Sequence, residues 1–239
     1  MPSPLSDDDL ASSTVEFPNG AGQILALFCP PKKGGPFPAL ILIHECWGLN
    51  DHIKDIAQRL SREGFAVLPP DLFSCLGNPV TRDAQKAAER MNAPKAEVAL
   101  AELSSTIACV LSLKEIRAEE IGVIAFCMGR TYALLLACRH RAIRAAVPFC
   151  GQVPDHQELK TLSAPVLYVW GTRYNWITEE EVYRLKGHLD QRPGAGEVRI
   201  YPAGHAFFNN TRHEVYDAVS ARDAWKRATA FFEAHLKAS

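Results

Sequence analysis

An α/β chain, built on a mostly parallel sheet covered by helices on both faces and preceded by an antiparallel hairpin, is predicted by three observations. From Ala39 onward, short apolar runs alternate with stretches of helical periodicity, the pattern that successive strand–helix–strand units impose. The runs themselves, such as Ala39-Leu-Ile-Leu-Ile43, show little polar alternation, as expected of strands buried on both faces. Three of them are followed directly by polar and small residues, where open parallel sheets bind their ligands.

The elements follow in order. Val15 to Phe17 and Gln23 to Phe28 flank Pro18-Asn19-Gly20 and read as the hairpin. Pro30 to Pro38 is a Pro-, Gly- and Lys-rich loop before the strand from Ala39 to Ile43. Helical spacing from Ile53 to Leu60 stops at Gly64, and Phe65 to Leu68 is the next strand. Ala84 to Leu113 is rich in Ala, Glu, Lys and Leu but broken near Asn92-Ala93-Pro94, so it forms two helices. Strands are expected at Ile121 to Ala125, Ile143 to Phe149, Val166 to Trp170 and Val198 to Tyr201. Helices are expected at Arg130 to Cys138, Glu179 to Leu189 and Ala221 to Leu236.

A chain of 239 residues fits one α/β domain. Residues 13–239 are therefore expected to form it, with the polar 1–12 segment disordered or loosely attached. The formal net charge of −1 removes the long-range attraction that nucleic acid or an anionic membrane surface would call for. No apolar run approaches the ~20 residues of a membrane span, and the N-terminus does not resemble a secretory signal. A small-molecule substrate and a cytoplasmic address are the expectation. The seven cysteines are scattered singly with no Cys-x-x-Cys pair, which argues against a disulfide framework or a structural zinc site. Most read as small core hydrophobes.

Three strand ends carry the candidate chemistry: His44-Glu45-Cys46-Trp47-Gly48, Ala125-Phe126-Cys127-Met128-Gly129, and Gly204-His205. Ile121 to Gly129 has the form strand, sharp turn, helix, with small residues two before and two after Cys127. A nucleophile elbow needs that spacing, because its turn crowds neighbouring groups too closely for larger side chains. The Met128 amide would open the following helix, where free N–H groups and the helix dipole stabilise a thiolate and then an oxyanion. The plain alternative is one more buried cysteine in a strand–helix connection. Chain order weighs against it, since His205 follows the last strand as the base of an α/β-hydrolase does.

With these motifs in place the sequence resembles the dienelactone hydrolase family from about Gln23 to Leu236. The matching stretches are His44 to Asn50, Gly64 to Leu72, Ile121 to Gly129, Tyr201 to Asn209 and Ala224 to Phe232. The resemblance implies an α/β-hydrolase fold and a hydrolase that cleaves a small ester, lactone or thioester through a cysteine acyl-enzyme. It further implies that Cys127 is the nucleophile, His205 its base, the Cys46 and Met128 amides the oxyanion hole, and Glu45 the carboxylate that assists thiolate formation. Trp47, Trp176, Phe207, Asn209 and Arg82 would face the substrate, and neither cofactor nor metal is called for. Monomer and homodimer both stay open.

The family's triad aspartate position is occupied by Tyr174, in Gly171-Thr-Arg-Tyr-Asn-Trp-Ile177. A phenol can orient His205 but cannot supply the negative charge that stabilises an imidazolium. Three readings follow: Tyr174 or Asn175 orients the histidine without charge, an acid such as Asp155 or Glu158 stands in, or hydrolysis has been lost and the pocket only binds. A thiol starts closer to ionisation than a hydroxyl, so loss of the acid weakens a cysteine enzyme less. The family arginine position four beyond the histidine is Asn209, for which Arg82, Arg212 or Arg173 are the candidate substitutes.

Overall fold

The computed structural model describes residues 11–19, 22–74, 80–92, 96–173 and 177–237. Its strands are β1 (Ser13–Asn19), β2 (Gly22–Phe28), β3 (Phe37–Ile43), β4 (Ala66–Leu68), β5 (Ile116–Phe126), β6 (Ile143–Phe149), β7 (Val166–Gly171) and β8 (Gly196–Tyr201). Its helices are α1 (Asp51–Arg62), α2 (Ala84–Asn92), α3 (Ala96–Ser112), α4 (Gly129–Arg139), α5 (His156–Leu159), α6 (Glu179–Asp190) and α7 (Ala218–Leu236). The first two strands pair as a hairpin and the other six form one sheet in the order β4-β3-β5-β6-β7-β8. The predicted α/β architecture is the one observed. None of the described helices is long and apolar enough to cross a membrane.

The chain divides into two compact units, Met1–Ile121 and Gly122–Ser239, with the boundary inside β5. In the first unit β1 and β2 are antiparallel in a register that runs from Ser13↔Phe28 to Asn19↔Gly22. β3 and β4 are parallel. The end of the hairpin bonds to β4 through Cys29 N–H to Val67 O at 2.8 Å and its reciprocal at 3.0 Å, which covers backbone groups that an open edge would leave for another chain. Asp71 N–H donates to Leu25 O at 2.7 Å, so the segment after β4 is held as well. Ala11 N–H donates to Pro30 O at 3.2 Å, and the rest of the expected loose terminus, 1–10, lies outside the described residues.

In the second unit β6, β7 and β8 are parallel neighbours, the β7–β8 ladder running from Val166↔Gly196 to Gly171↔Tyr201. The strand cores are fully buried, Val147, Val166, Tyr168 and Val169 all at 0% exposure, which is why these runs lack polar alternation. Gly196 has φ +111, and a Cβ there would fall 1.9 Å from Val166 O, so only glycine opens β8 beside β7.

Two elements differ from the sequence expectation. β5 begins at Ile116 rather than Ile121, because Arg117, Glu119 and Glu120 make its first half look like a loop, while an Arg117–Glu120 ion pair at 3.0 Å accommodates those charges. α5 is a single turn with no apolar periodicity to announce it, started by Asp155, whose side chain accepts from Glu158 N–H. The break between α2 and α3 falls where Pro94 predicts it, with 93–95 outside the described residues. Of the cysteines, 29, 46, 109, 127, 138 and 150 form no disulfide, and four of them are buried.

Candidate active site

Cys127 sits between β5 and α4 with φ +49. A non-glycine residue rarely adopts a left-handed backbone, and a persistent one marks local strain held by its surroundings. Here it turns the chain sharply, so that the half-buried thiol stands at the apex of the turn. Met128 is the N-cap of α4 and no side chain caps the helix there. The first-turn N–H groups of α4 therefore meet no side-chain cap at the end that carries positive dipole potential, beside the cysteine. Ala125, two residues before, is 0% exposed.

His205 is half-buried on the loop that follows β8. The same loop contributes Phe207 and Phe208 to an aromatic cluster. Phe126, adjacent to Cys127, stacks on Phe208 at 5.3 Å and packs on Phe149 at 4.6 Å, and Phe207 packs on Tyr201 at 5.4 Å. The loop is tightened by a turn in which Phe207 N–H donates to Gly204 O, and by a longer-range bond from Asp217 N–H to Phe207 O. Elbow and histidine loop thus rest on shared rings.

The β7–α6 loop, where the family carries its acid, leaves the sheet in step with the histidine loop. Thr172 N–H donates to Tyr201 O at 2.9 Å and Arg173 N–H to Ala203 O at 3.0 Å. The two chains run so close that a Cβ on Gly171 would lie 2.6 Å from Ala203 O and 2.8 Å from Gly204 O. Position 174 follows the last of these bonds, but Tyr174, Asn175 and Trp176 lie outside the described residues. The suggested stand-in acids are occupied elsewhere: Asp155 caps α5, and Glu158 binds Arg139 through both carboxylate oxygens at 2.8 and 3.1 Å.

In the first unit, the residues after β3 form a tight turn. Gly48 N–H donates to Glu45 O at 3.0 Å, Gly48 has φ +88, and Asn50 caps α1 through Ile53 N–H at 3.1 Å. Glu45 and Cys46 are buried at 4% and 7% exposure, and Trp47 is half-buried. Thr81 N–H donates to Trp47 O at 3.1 Å, which brings the backbone leading to Arg82 next to Trp47; the Arg82 side chain is exposed.

Other residues singled out from sequence have structural work. Asn209 is 3% exposed and its Oδ1 accepts from Thr211 N–H and Thr211 Oγ1 at 3.1 and 2.7 Å. Phe207, at 1% exposure, belongs to the aromatic base of the histidine loop. Arg212 pairs with Glu214 at 2.9 Å. Among the buried polar residues that the sequence did not single out are Arg90, whose guanidinium lies 5.2 Å from the Phe73 ring centroid, and Asp71, whose Oδ1 accepts from Phe73 N–H at 3.0 Å. Arg90 shares a helix face with buried Ala87, and that three-residue spacing was the available signal.

A left-handed cysteine between a buried strand and a helix N-terminus, with a histidine beyond the last strand of a mostly parallel sheet, fits a hydrolase of the α/β-hydrolase fold. Comparison with known proteins agrees. A model of the dienelactone hydrolase family matches residues 24–236. The "Putative carboxymethylenebutenolidase" of Methylorubrum extorquens is 30% identical over 93% of this chain and 81% of its own. The "Probable 2-oxo-3-(5-oxofuran-2-ylidene)propanoate lactonase" of a Bradyrhizobium species is 28% identical over 97% of this chain and 98% of its own. A crystal structure titled as a "Putative Dienelactone Hydrolase" from Klebsiella pneumoniae superimposes with a TM-score of 0.84 at 25% identity, covering 93% of this chain and 98% of that one. The chain belongs to the dienelactone hydrolase family.

Proposed function

We propose that this protein hydrolyses a small ester or lactone through a covalent Cys127 acyl-enzyme, with His205 as the proton carrier. The observation that carries the reading is the left-handed Cys127 at φ +49 on the strand-to-helix turn. Cys150 shares a left-handed backbone at φ +56 but is buried, whereas Cys127 is half-buried at a strand-to-helix turn with small neighbours at Ala125 and Gly129, the spacing a nucleophile elbow needs.

The thiol proton passes to His205, and the thiolate adds to the substrate carbonyl carbon. The carbonyl oxygen becomes an oxyanion held by the Met128 and Cys46 amides, the latter carried over from the family resemblance. Collapse breaks the carbonyl–oxygen single bond, and the imidazolium returns its proton to the departing alkoxide. In a lactone that alkoxide stays tethered to the acyl group. A water then gives its proton to His205, attacks the thioester and releases the carboxylic acid and the free cysteine. Glu45 assists the first ionisation, and Trp47, Trp176, Arg82 and Asn209 are the proposed substrate-facing side chains. The name of the Bradyrhizobium relative favours a cyclic ester among the possible substrates.

Short-chain p-nitrophenyl esters and an unsaturated five-membered lactone, assayed beside Cys127→Ala, test this reading. Wild-type protein is expected to release a burst of p-nitrophenol equal to the enzyme present, and Cys127→Ala none. Equal turnover by both proteins would sink it. A second reading, stoichiometric binding without turnover, is favoured by Tyr174 at the acid position, and absence of any ester or lactone turnover, burst or steady-state, together with saturable lactone binding would select it.

A further inference from the structure

We propose that His44 is a positioning residue for the oxyanion-binding turn: one ring nitrogen clamps the Glu45 carbonyl while the other is anchored by the Leu72 amide, and the clamp aims the Cys46 N–H. The inference rests on the reading just given for its consequence, though its geometry lies wholly in the first unit.

His44 is the first residue after β3 and is completely buried. Its Nε2 lies 3.1 Å from the Leu72 amide nitrogen and its Nδ1 lies 2.7 Å from Glu45 O. A backbone amide can only donate, so Nε2 must accept. In a neutral imidazole the single proton then resides on Nδ1, which donates to the Glu45 carbonyl. The protein therefore selects one tautomer, and the ring cannot flip without losing both bonds. Its plane is further held beside Phe73, with centroids 5.0 Å apart.

The peptide unit supplies the connection to chemistry. Glu45 C=O and Cys46 N–H belong to the same planar trans peptide, so their directions are opposed and locked together. Fixing the carbonyl toward His44 fixes the amide the opposite way. The Gly48 N–H, 3.0 Å from the same carbonyl oxygen, occupies its second lone pair and leaves that peptide no soft direction. The anchor on the far side is firm too, because the segment carrying Leu72 is tied to β2 by Asp71 N–H to Leu25 O at 2.7 Å. An oxyanion donor acts only when it is pre-aimed at the place where charge develops, and this clamp provides that aim from a side chain that need not touch the substrate.

Three variants separate the ring's two bonds. His44→Asn places an amide nitrogen near Nδ1 and retains the Glu45 side; His44→Gln places its amide near Nε2 and retains the Leu72 side; His44→Ala removes both. The expected result is that His44→Asn keeps kcat within about threefold of wild type, while His44→Gln and His44→Ala lower kcat by about 10²-fold with little change in KM, the scale of losing one oxyanion donor. Amide hydrogen exchange supplies a readout independent of turnover, with Cys46, Trp47 and Gly48 exchanging faster in His44→Gln and His44→Ala but not in His44→Asn. Wild-type kcat and wild-type exchange in His44→Gln would overturn the proposal. So would losses in all three variants that track only their unfolded fractions in thermal melts. An inactive wild type, or an active Cys127→Ala, would instead defeat the acyl-enzyme reading, and the exchange pattern would still decide for or against the clamp.

Discussion

Phe126 and Phe208 stack with their ring centroids 5.3 Å apart and their planes 27° from parallel. The first ring immediately precedes Cys127 and the second lies three residues beyond His205, so one apolar contact sets where two catalytic candidates stand. Phe208 also packs on Phe149 at 5.0 Å and Trp225 at 6.1 Å. Phe208→Ala is expected to lower the unfolding free energy by about 3–5 kcal/mol, the usual cost of emptying a buried phenylalanine site. It should also reduce kcat among the molecules that remain folded. Denaturant titration paired with steady-state kinetics checks both, and a destabilised variant of undiminished kcat would separate the ring stack from the chemistry.

Gly171 and Ala203 meet closely enough to forbid a side chain, a Cβ at 171 falling 2.6 Å from Ala203 O. Gly171→Ala must push the histidine loop away from β7 or deform the strand. Overpacking of this kind costs roughly 1–3 kcal/mol, and displacement of a reacting group by about 1 Å can cost about 10²-fold in rate. A kcat equal to wild type would show that the loop yields elsewhere than at His205.

Arg173 N–H is bonded to Ala203 O at 3.0 Å, so the chain is beside the histidine loop at Arg173, and the family's acid position follows next in sequence. Tyr174→Asp would restore the carboxylate typical of the family and is expected to raise kcat about tenfold or more, through stabilisation of the His205 imidazolium. Tyr174→Phe tests the phenol by itself: a fall in kcat assigns it the orienting role. If neither substitution changes the rate, another group orients the histidine.

Acidity should act on the first unit through two groups of opposite sign. Burial, with Arg90 adding to it, holds the His44 pKa at about 4, below its ordinary 6.5. Its unfolded form takes up a proton first, so the stability tied to neutral His44 is complete above pH 6.5 and is lost as pH falls toward 4. Once protonated, Nε2 can no longer accept from Leu72; the nearby Asp71 Oδ1, at 3.8 Å, would become its partner. Glu102 is raised by burial and by the charge of Asp71 to about 6, from an ordinary 4.5. Its stabilisation is present below pH 4.5 and disappears as pH rises through 6. The unfolding free-energy gap between wild type and His44→Asn should therefore widen from pH 4 to 6.5, while the gap to Glu102→Gln should narrow from pH 4.5 to 6. Urea midpoints across that range check both slopes.

Much of the architecture was legible because burial on both faces leaves a plain trace. Ile143 to Phe149 appears in the structure with the same limits read from its apolar run, and the hairpin, α1 and the α2–α3 break fall within a few residues of expectation. The start of β5 was hidden for the converse reason, since Arg117 and Glu119 sit on strand that is partly exposed and Glu120, though buried, is paired with Arg117. The elbow was legible from small residues around Cys127, as steric crowding restricts residue type at fixed spacing. The amide oxygen of Asn209, a position read as substrate-facing, also organises the turn at Thr211, a local bond no spacing rule reports.

By itself the sequence determined the alternation of strands and helices, the cysteine at the apex of a strand–helix turn, and the histidine after the last strand, because each follows from local sterics or from periodicity along one chain. Tertiary structure alone decided which backbone groups meet across elements: the left-handed Cys127, the contact of Gly171 with Ala203, the ring stack of Phe126 on Phe208, and the tautomer of His44. Those depend on residues dozens of positions apart being brought within a hydrogen bond or a van der Waals radius of each other, and the chain's order carries no direct record of such distances.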